Sequence, residues 1–171
     1  MITVDAPPSG SRNTGQTCAR CDFQIYCIMN KKHRVLLCDD QDMVRLTVRE
    51  FLKLQTDIEV VGEASGGQAG IEAALELLPD LVLMDVSMPD VNGIEATRQI
   101  LANDPRVKVL AHSSHPNWET VDQMFAAGAR GYVLKQGDAV ELVRAIRTVL
   151  AGGSFLSPGL LSCTNPIEEA S

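Results

Sequence analysis

The sequence predicts an α/β protein: a doubly wound parallel sheet of five strands, each followed by a helix, in the order 2-1-3-4-5. Three observations predict it. Short apolar runs begin at residues 35, 58, 81, 107 and 131, at nearly even spacing. The stretches between them repeat their apolar residues at helical rather than strand period. The chain has 171 residues, 45% of them hydrophobic and 22% charged, which suits one globular domain with tails.

Residues 1–33 read as a flexible N-terminal extension. Met1–Gln16 is rich in Pro, Gly, Ser, Thr and Asn and has no period, so disorder is expected there. Cys18, Cys21, Cys27 and His33 are zinc-ligand types, but their spacing fits no standard finger. Incidental thiols in a flexible tail account for them more simply. Met29-Asn-Lys-Lys-His-Arg then runs straight into the first strand, as a domain start would. Residues 1–28 are therefore expected to be an extension, or no part of the working protein.

The main domain is expected over residues 34–153. Val35–Cys38 is the first strand. The first helix, about Asp42–Leu54, offers Val44, Val48, Phe51 and Leu52 to a core. Ile58–Val61 is the second strand. In the second helix Ile71, Ala74, Leu75 and Leu78 fall on one face, and Ser65 with Gln68 has the spacing of a capping box. Leu81–Met84, continuously apolar behind Pro79-Asp80, predicts a central strand buried on both faces. The third helix, about Ile94–Ala102, offers Ile94, Thr97 and Leu101. Val107–Ala111 is the fourth strand. The helix after it, about Asn117–Ala127, offers Trp118, Val121 and Phe125, and Gly128 stops it. Gly131–Leu134 is the fifth strand. Asp138, with Glu141 three residues on, caps the last helix, which ends at Gly152-Gly153. The tail Ser154–Ser171 contains Pro158 and Pro166 and is expected to be mostly irregular.

At the carboxyl ends of these strands the sequence places Asp39 and Asp40, then Asp85, Ser113 or the adjacent Ser114, and Lys135. That edge is where open α/β sheets bind ligands. Three crowded carboxylates repel one another and call for a cation. Oxygen ligands at this density favour a magnesium-like ion. Beside such an ion Asp85 can act as a nucleophile toward a phosphoryl group. Lys135 would pair with one phosphoryl oxygen and the Ser113 hydroxyl with another. The product would be an aspartyl phosphate.

Composition excludes several other roles. A formal net charge of −7 argues against a nucleic-acid or anionic-membrane surface. No apolar run approaches the roughly 18 residues of a membrane span, and the N-terminus lacks a signal-peptide pattern, so a cytoplasmic protein is expected. Five cysteines are an odd number, poorly suited to a disulfide framework. Gly62, Gly66, Gly67 and Gly70 lack the spacing of a dinucleotide loop. His112 and His115 have no ligand partner nearby in sequence and read as ordinary loop residues. His115, with Ser87, is placed to shape water access to Asp85.

The acidic pair Asp39-Asp40, the stretch Asp85-Val-Ser-Met-Pro-Asp-Val-Asn-Gly, Ser113 and Gly131-Tyr-Val-Leu-Lys135 carry a resemblance. In this order and spacing the chain from about Arg34 to Gly153 resembles the CheY-like receiver domain of two-component response regulators, which has a flavodoxin-like fold. The resemblance implies that Asp85 accepts a phosphoryl group from a histidine kinase or phosphotransfer protein. It implies that Asp39, Asp40, Asp85 and the Ser87 backbone carbonyl hold Mg2+. Ser113 and Tyr132 match the family's switch positions. Tyr132 following Ser113 inward would reshape the face of the fourth helix and fifth strand for a downstream protein partner or a self-dimer. Such a domain catalyses only its own phosphoryl transfer and dephosphorylation, so no further enzyme activity is expected.

Gln136, where many receivers carry proline, and Ala-Gly-Gly-Ser-Phe-Leu-Ser-Pro resemble the subgroup usually joined to a LuxR-type helix-turn-helix domain. That domain would begin near Ser162. With the chain ending at Ser171, the expectation is a stand-alone receiver or a truncated transcriptional regulator, with no direct nucleic-acid binding from this chain. Cys38 stands where an aliphatic residue is usual and is small and apolar enough to fill a core position. Other readings compete. A receiver that signals by binding, without phosphorylation, keeps the same residues. A haloacid-dehalogenase-like phosphatase needs a second acid two residues after the nucleophile, where this chain has Ser87. A flavin-binding module fits poorly with 4% aromatic residues and three acids at the strand ends.

Overall fold

The structure is a computed structural model, and it describes residues 32–161. The expectations for residues 1–31, including Cys18, Cys21 and Cys27, and for a helix-turn-helix start near Ser162, lie outside the described residues. Six parallel strands form one sheet: β1 (His33–Cys38), β2 (Ile58–Ala64), β3 (Leu81–Asp85), β4 (Lys108–Ser113), β5 (Gly131–Leu134) and β6 (Phe155–Leu156). Their order is β2-β1-β3-β4-β5-β6. The helices are α1 (Asp42–Lys53), α2 (Gly67–Leu77), α3 (Gly93–Asn103), α4 (Trp118–Ala126), α5 (Ala139–Leu150) and the single turn α6 (Pro158–Leu161).

Two apolar layers sandwich the sheet. On one face Val35, Leu37, Leu83, Leu110 and Val133 pack with Val48 and Leu52 of α1 and with Leu142, Ile146 and Val149 of α5. On the other Leu36, Val82, Met84, Val109 and Tyr132 meet α2, α3 and α4 through Ile71, Ile100 and Met124. All five residues of β3 are buried, as an apolar run covered by helices on both faces requires. Cys38 fills its core position at 1% exposure. Asp138 caps α5 by accepting from Glu141 N, and Gly128, at φ +104°, follows the end of α4.

Two local expectations do not hold. The start of α2 has no capping box: its N-cap is Gly66, with no cap from its own segment. Asp90, from the loop after β3, accepts from Gly67 N at 2.9 Å and Gln68 N at 3.1 Å instead. The apolar face of α2 is also rotated. Ile71 and Ala74 are buried and Leu77 packs against the core, whereas Leu75 and Leu78 are exposed. Leu78 is the helix C-cap at φ +47°, and that left-handed turn carries it out of the helical face.

The tail differs as well. Phe155–Leu156 pairs with β5 as a sixth strand, aligning Leu156 with Tyr132. Ser157 N donates to Tyr132 O at 2.9 Å, and the Ser157 hydroxyl accepts from Leu134 N at 3.2 Å. That hydroxyl also donates to Glu141. Leu160 is fully buried in the same cluster as Tyr132. Two apolar residues followed by Ser-Pro are too few to show a period, so the sequence gives this segment no strand signal.

Candidate functional site

The order β2-β1-β3-β4-β5 puts β1 and β3 side by side where the strand order reverses. Cys38 aligns with Met84, Asp85 with His112, and Ser113 with Leu134. Hence Asp39, Asp85, Ser113 and Lys135, each at the end of its own strand, fall on one edge. Sequence register alone brings them together.

Asp39, Asp40 and Asp85 each present a carboxylate oxygen within 4.8 Å of the other two. Asp39 and Asp85 are buried and Asp40 is exposed. Lys135 Nζ lies 2.7 Å from Asp39 Oδ2 and 2.8 Å from Asp85 Oδ2. Asp85 Oδ1 accepts from Ser87 N at 3.1 Å. Burial pushes the Asp85 carboxyl up from its ordinary range, opposed by the hydrogen bonds from Lys135 and Ser87. Burial alone would push the Lys135 ammonium down, but Asp39 and Asp85 outweigh it and hold it above its ordinary value.

The donor set fits a hard divalent cation. Three carboxylates against one ammonium leave a formal excess of two negative charges. Among the described residues Asp39 Oδ2 is buried without a hydrogen bond, though it is ion-paired with Lys135 Nζ. Oxygen donors with one exposed side are what a partly hydrated magnesium ion takes. The loop after Asp85 is held close: Gly93 N donates to Val86 O at 3.0 Å, and a Cβ at Gly93 would lie 2.0 Å from Asp85 O. Only glycine permits that approach.

Ser113 and Tyr132, the residues expected to act as a switch, form a second group. Ser113 is buried, and its Oγ accepts from His115 N at 3.3 Å. Tyr132 is fully buried, and its hydroxyl donates to His115 O at 3.1 Å. Tyr132 thus occupies the inward position, tied to the loop that starts at Ser113. Burial raises the Tyr132 phenol, partly offset by its contact with the Ser113 hydroxyl. Gln136 Nε2 reaches Ser114 O at 3.4 Å, joining the loops after β4 and β5, and all described peptide bonds are trans.

Four residues gain significance that sequence reasoning did not give them. Asp90 bridges to α2, and its signal was the Gly66-Gly67 pair waiting for a close neighbour. Ser157 and Leu160 bind the tail to β5 and its core. His112 is no loop residue. It lies in β4 at 6% exposure, lining a groove of about 280 Å3 between α1 and α5 with Met43, Phe51, Leu142 and Lys135. Among the described residues no helix is long and apolar enough to cross a membrane.

Comparison with known proteins agrees with this geometry. Residues 35–147 match the family described as "Response regulator receiver domain". The chain is 42% identical over 125 residues to "Response regulator GacA" of Pseudomonas viridiflava, covering 73% of this chain and 58% of that protein. It is 41% identical over 128 residues to "Response regulator protein VraR" of Staphylococcus aureus, covering 75% and 61%. Among solved structures, a LuxR-family two-component response regulator from Aurantimonas sp. SI85-9A1 superposes with a TM-score of 0.74 at 36% identity, over 77% of this chain and 94% of that one. The chain thus spans less than two thirds of the length of these curated relatives.

Proposed function

This chain belongs to the response regulator receiver domain family, and on that premise we propose that Asp85 is the phosphoacceptor of a two-component relay. The observation that carries the reading is the contact of one buried ammonium, Lys135, with two carboxylates from different strands at 2.7 and 2.8 Å. In the transfer, an Asp85 carboxylate oxygen bonds to phosphorus as the phosphorus–nitrogen bond of a donor phosphohistidine breaks. The bonding pair remains with the imidazole nitrogen.

Asp39, Asp40, Asp85 and the Ser87 carbonyl would hold Mg2+, which when bound neutralises charge on the incoming phosphoryl oxygens. Lys135 is already in place to turn from Asp85 to a phosphoryl oxygen, and Ser113, at the end of β4, to donate to another. The Ser113–His115–Tyr132 contacts couple that event to Tyr132 and, through the register with Leu156, to the tail. The upstream partner would be a histidine kinase or phosphotransfer protein, in the cytoplasm. The chemistry is self-modification, with no separate substrate turned over.

Chemical trapping tests the assignment. Borohydride reduces an acyl phosphate to an alcohol, so phosphorylated and reduced protein should carry homoserine at position 85 in a peptide map. Homoserine at position 39 or 40 instead, or at none of the three in labelled protein, contradicts it.

A further inference from the structure

We propose that Asp90 is a positioning residue for the metal and phosphoryl site: it clamps the loop that carries Ser87 to the N-terminus of α2. The inference rests on the magnesium and phosphoacceptor reading above and adds a residue to it. The loop from Val86 to Asn92 leaves the sheet directly after Asp85. It is closed at its base by Gly93 N to Val86 O, and Ser87 is exposed between. Within it Met88 is buried in the core, Val91 packs against the same cluster and Ser87 N donates to Asp85 Oδ1, while Ser87, Pro89 and Asp90 are exposed. Asp90 adds a polar anchor at the exposed far end of the loop. Its two carboxylate oxygens each take one backbone N–H at the start of α2, Gly67 N at 2.9 Å and Gln68 N at 3.1 Å. Those two donors have no partner within their own helix, so a carboxylate satisfies them and meets the positive end of the helix dipole. The backbone donors hold the Asp90 carboxyl below its ordinary range.

The fit is close on both sides. A Cβ at Gly66 would lie 2.8 Å from Asp90 Oδ2, and one at Gly67 would lie 1.9 Å from Val91 O. The two loops therefore meet backbone to backbone, which side chains at 66 and 67 would prevent. Asp90 stands three residues from Ser87 and five from Asp85, so a shift of the clamp reaches the Ser87 carbonyl through Pro89 and the buried Met88. Through α2 and β2 the clamp ties that carbonyl to the edge of the sheet beyond β1, away from the strands that bring Ser113 and Lys135.

The test compares wild type with Asp90→Ala and Asp90→Asn by calorimetric titration with Mg2+, alongside melting without the ion and labelling by a small phosphodonor. For Asp90→Ala, Mg2+ affinity should fall about tenfold, as for loss of a residue that orients a metal ligand. Asp90→Asn keeps one acceptor oxygen and should recover part of the loss. Saturating Mg2+ should restore labelling in both. Gly67→Ala leaves Asp39, Asp40, Asp85 and Asp90 in place and pushes on Val91 O. It should weaken Mg2+ binding in the same direction, which keeps the test valid if Asp90→Ala folds poorly. Lower melting temperatures with wild-type Mg2+ affinity would show Asp90 to be a helix cap and nothing more, overturning the proposal. A wild type that binds no Mg2+ overturns the metal reading itself, an outcome visible without any variant.

Discussion

Lys135 Nζ contacts Asp39 Oδ2 at 2.7 Å and Asp85 Oδ2 at 2.8 Å, so one buried ammonium joins the ends of β1 and β3 from the end of β5. Removing it leaves two buried carboxylates facing each other. Lys135→Met should therefore cost about 3–5 kcal/mol of stability, the range for breaking a buried ion pair. Added Mg2+ should return part of that loss, since the cation neutralises the same carboxylates. Urea unfolding with and without Mg2+ checks it. A variant as stable as wild type in chelator would mean the contact contributes little.

Leu160 is fully buried against the cluster that holds Tyr132, and Ser157 bridges Leu134 N and the Glu141 carboxylate. Leu160→Ala should cost about 2–4 kcal/mol, and Ser157→Ala about 1 kcal/mol by removing hydrogen bonds to two half-buried partners. Truncation after Gly153 should lower the melting temperature by more than either. An unchanged melting temperature on truncation would place the tail outside the folding unit.

The first five strands and the position of every chemistry-bearing strand end were legible because apolar runs locate strands, and these are unambiguous at Leu36, Val82 and Val109; their order followed from the doubly wound pattern. Asp39, Asp85 and Lys135 follow such runs directly, and Ser113 follows one residue later, after His112, so the candidate site came with the fold. Asp90 was not legible, because its partner lies 23 residues away and a capping box offered a local solution in Ser65 and Gln68. The tail strand is two residues long and makes its fit through Ser157 and Leu160, contacts that no periodicity announces. Leu78 was misplaced because a helical wheel assumes a regular helix, and the chain turns left-handed there.

His112 lies in the sheet where burial, and then the Lys135 charge, push its imidazole down to about 3 from an ordinary 6.5. A histidine that is neutral when folded and protonated when unfolded favours folding in full above 6.5. Its contribution is lost progressively as pH falls from 6.5 toward 3. The slope is at most about 1.4 kcal/mol per pH unit for one proton. His112→Leu should flatten the fall in stability between those limits while leaving the neutral-pH melting temperature unchanged or higher. An equally steep acid limb in the variant would assign it to the carboxylates alone.

Burial, with the Asp39 charge, pushes the Cys38 thiol up to about 12, so almost no thiolate exists at neutral pH. Iodoacetamide on native protein should leave Cys38 unmodified in a peptide map, and denaturation should expose it. Alkylation of Cys38 in the native state would mean that β1 opens locally far more often than a central strand should.

The most direct test of the central claim is intact mass after incubation with Mg2+ and a small phosphodonor, comparing wild type with Asp85→Asn. Wild type should gain one phosphoryl group, the variant none, and wild type none when the cation is chelated. Folded wild type that takes up no phosphoryl group, or a variant that takes up as much, would contradict it.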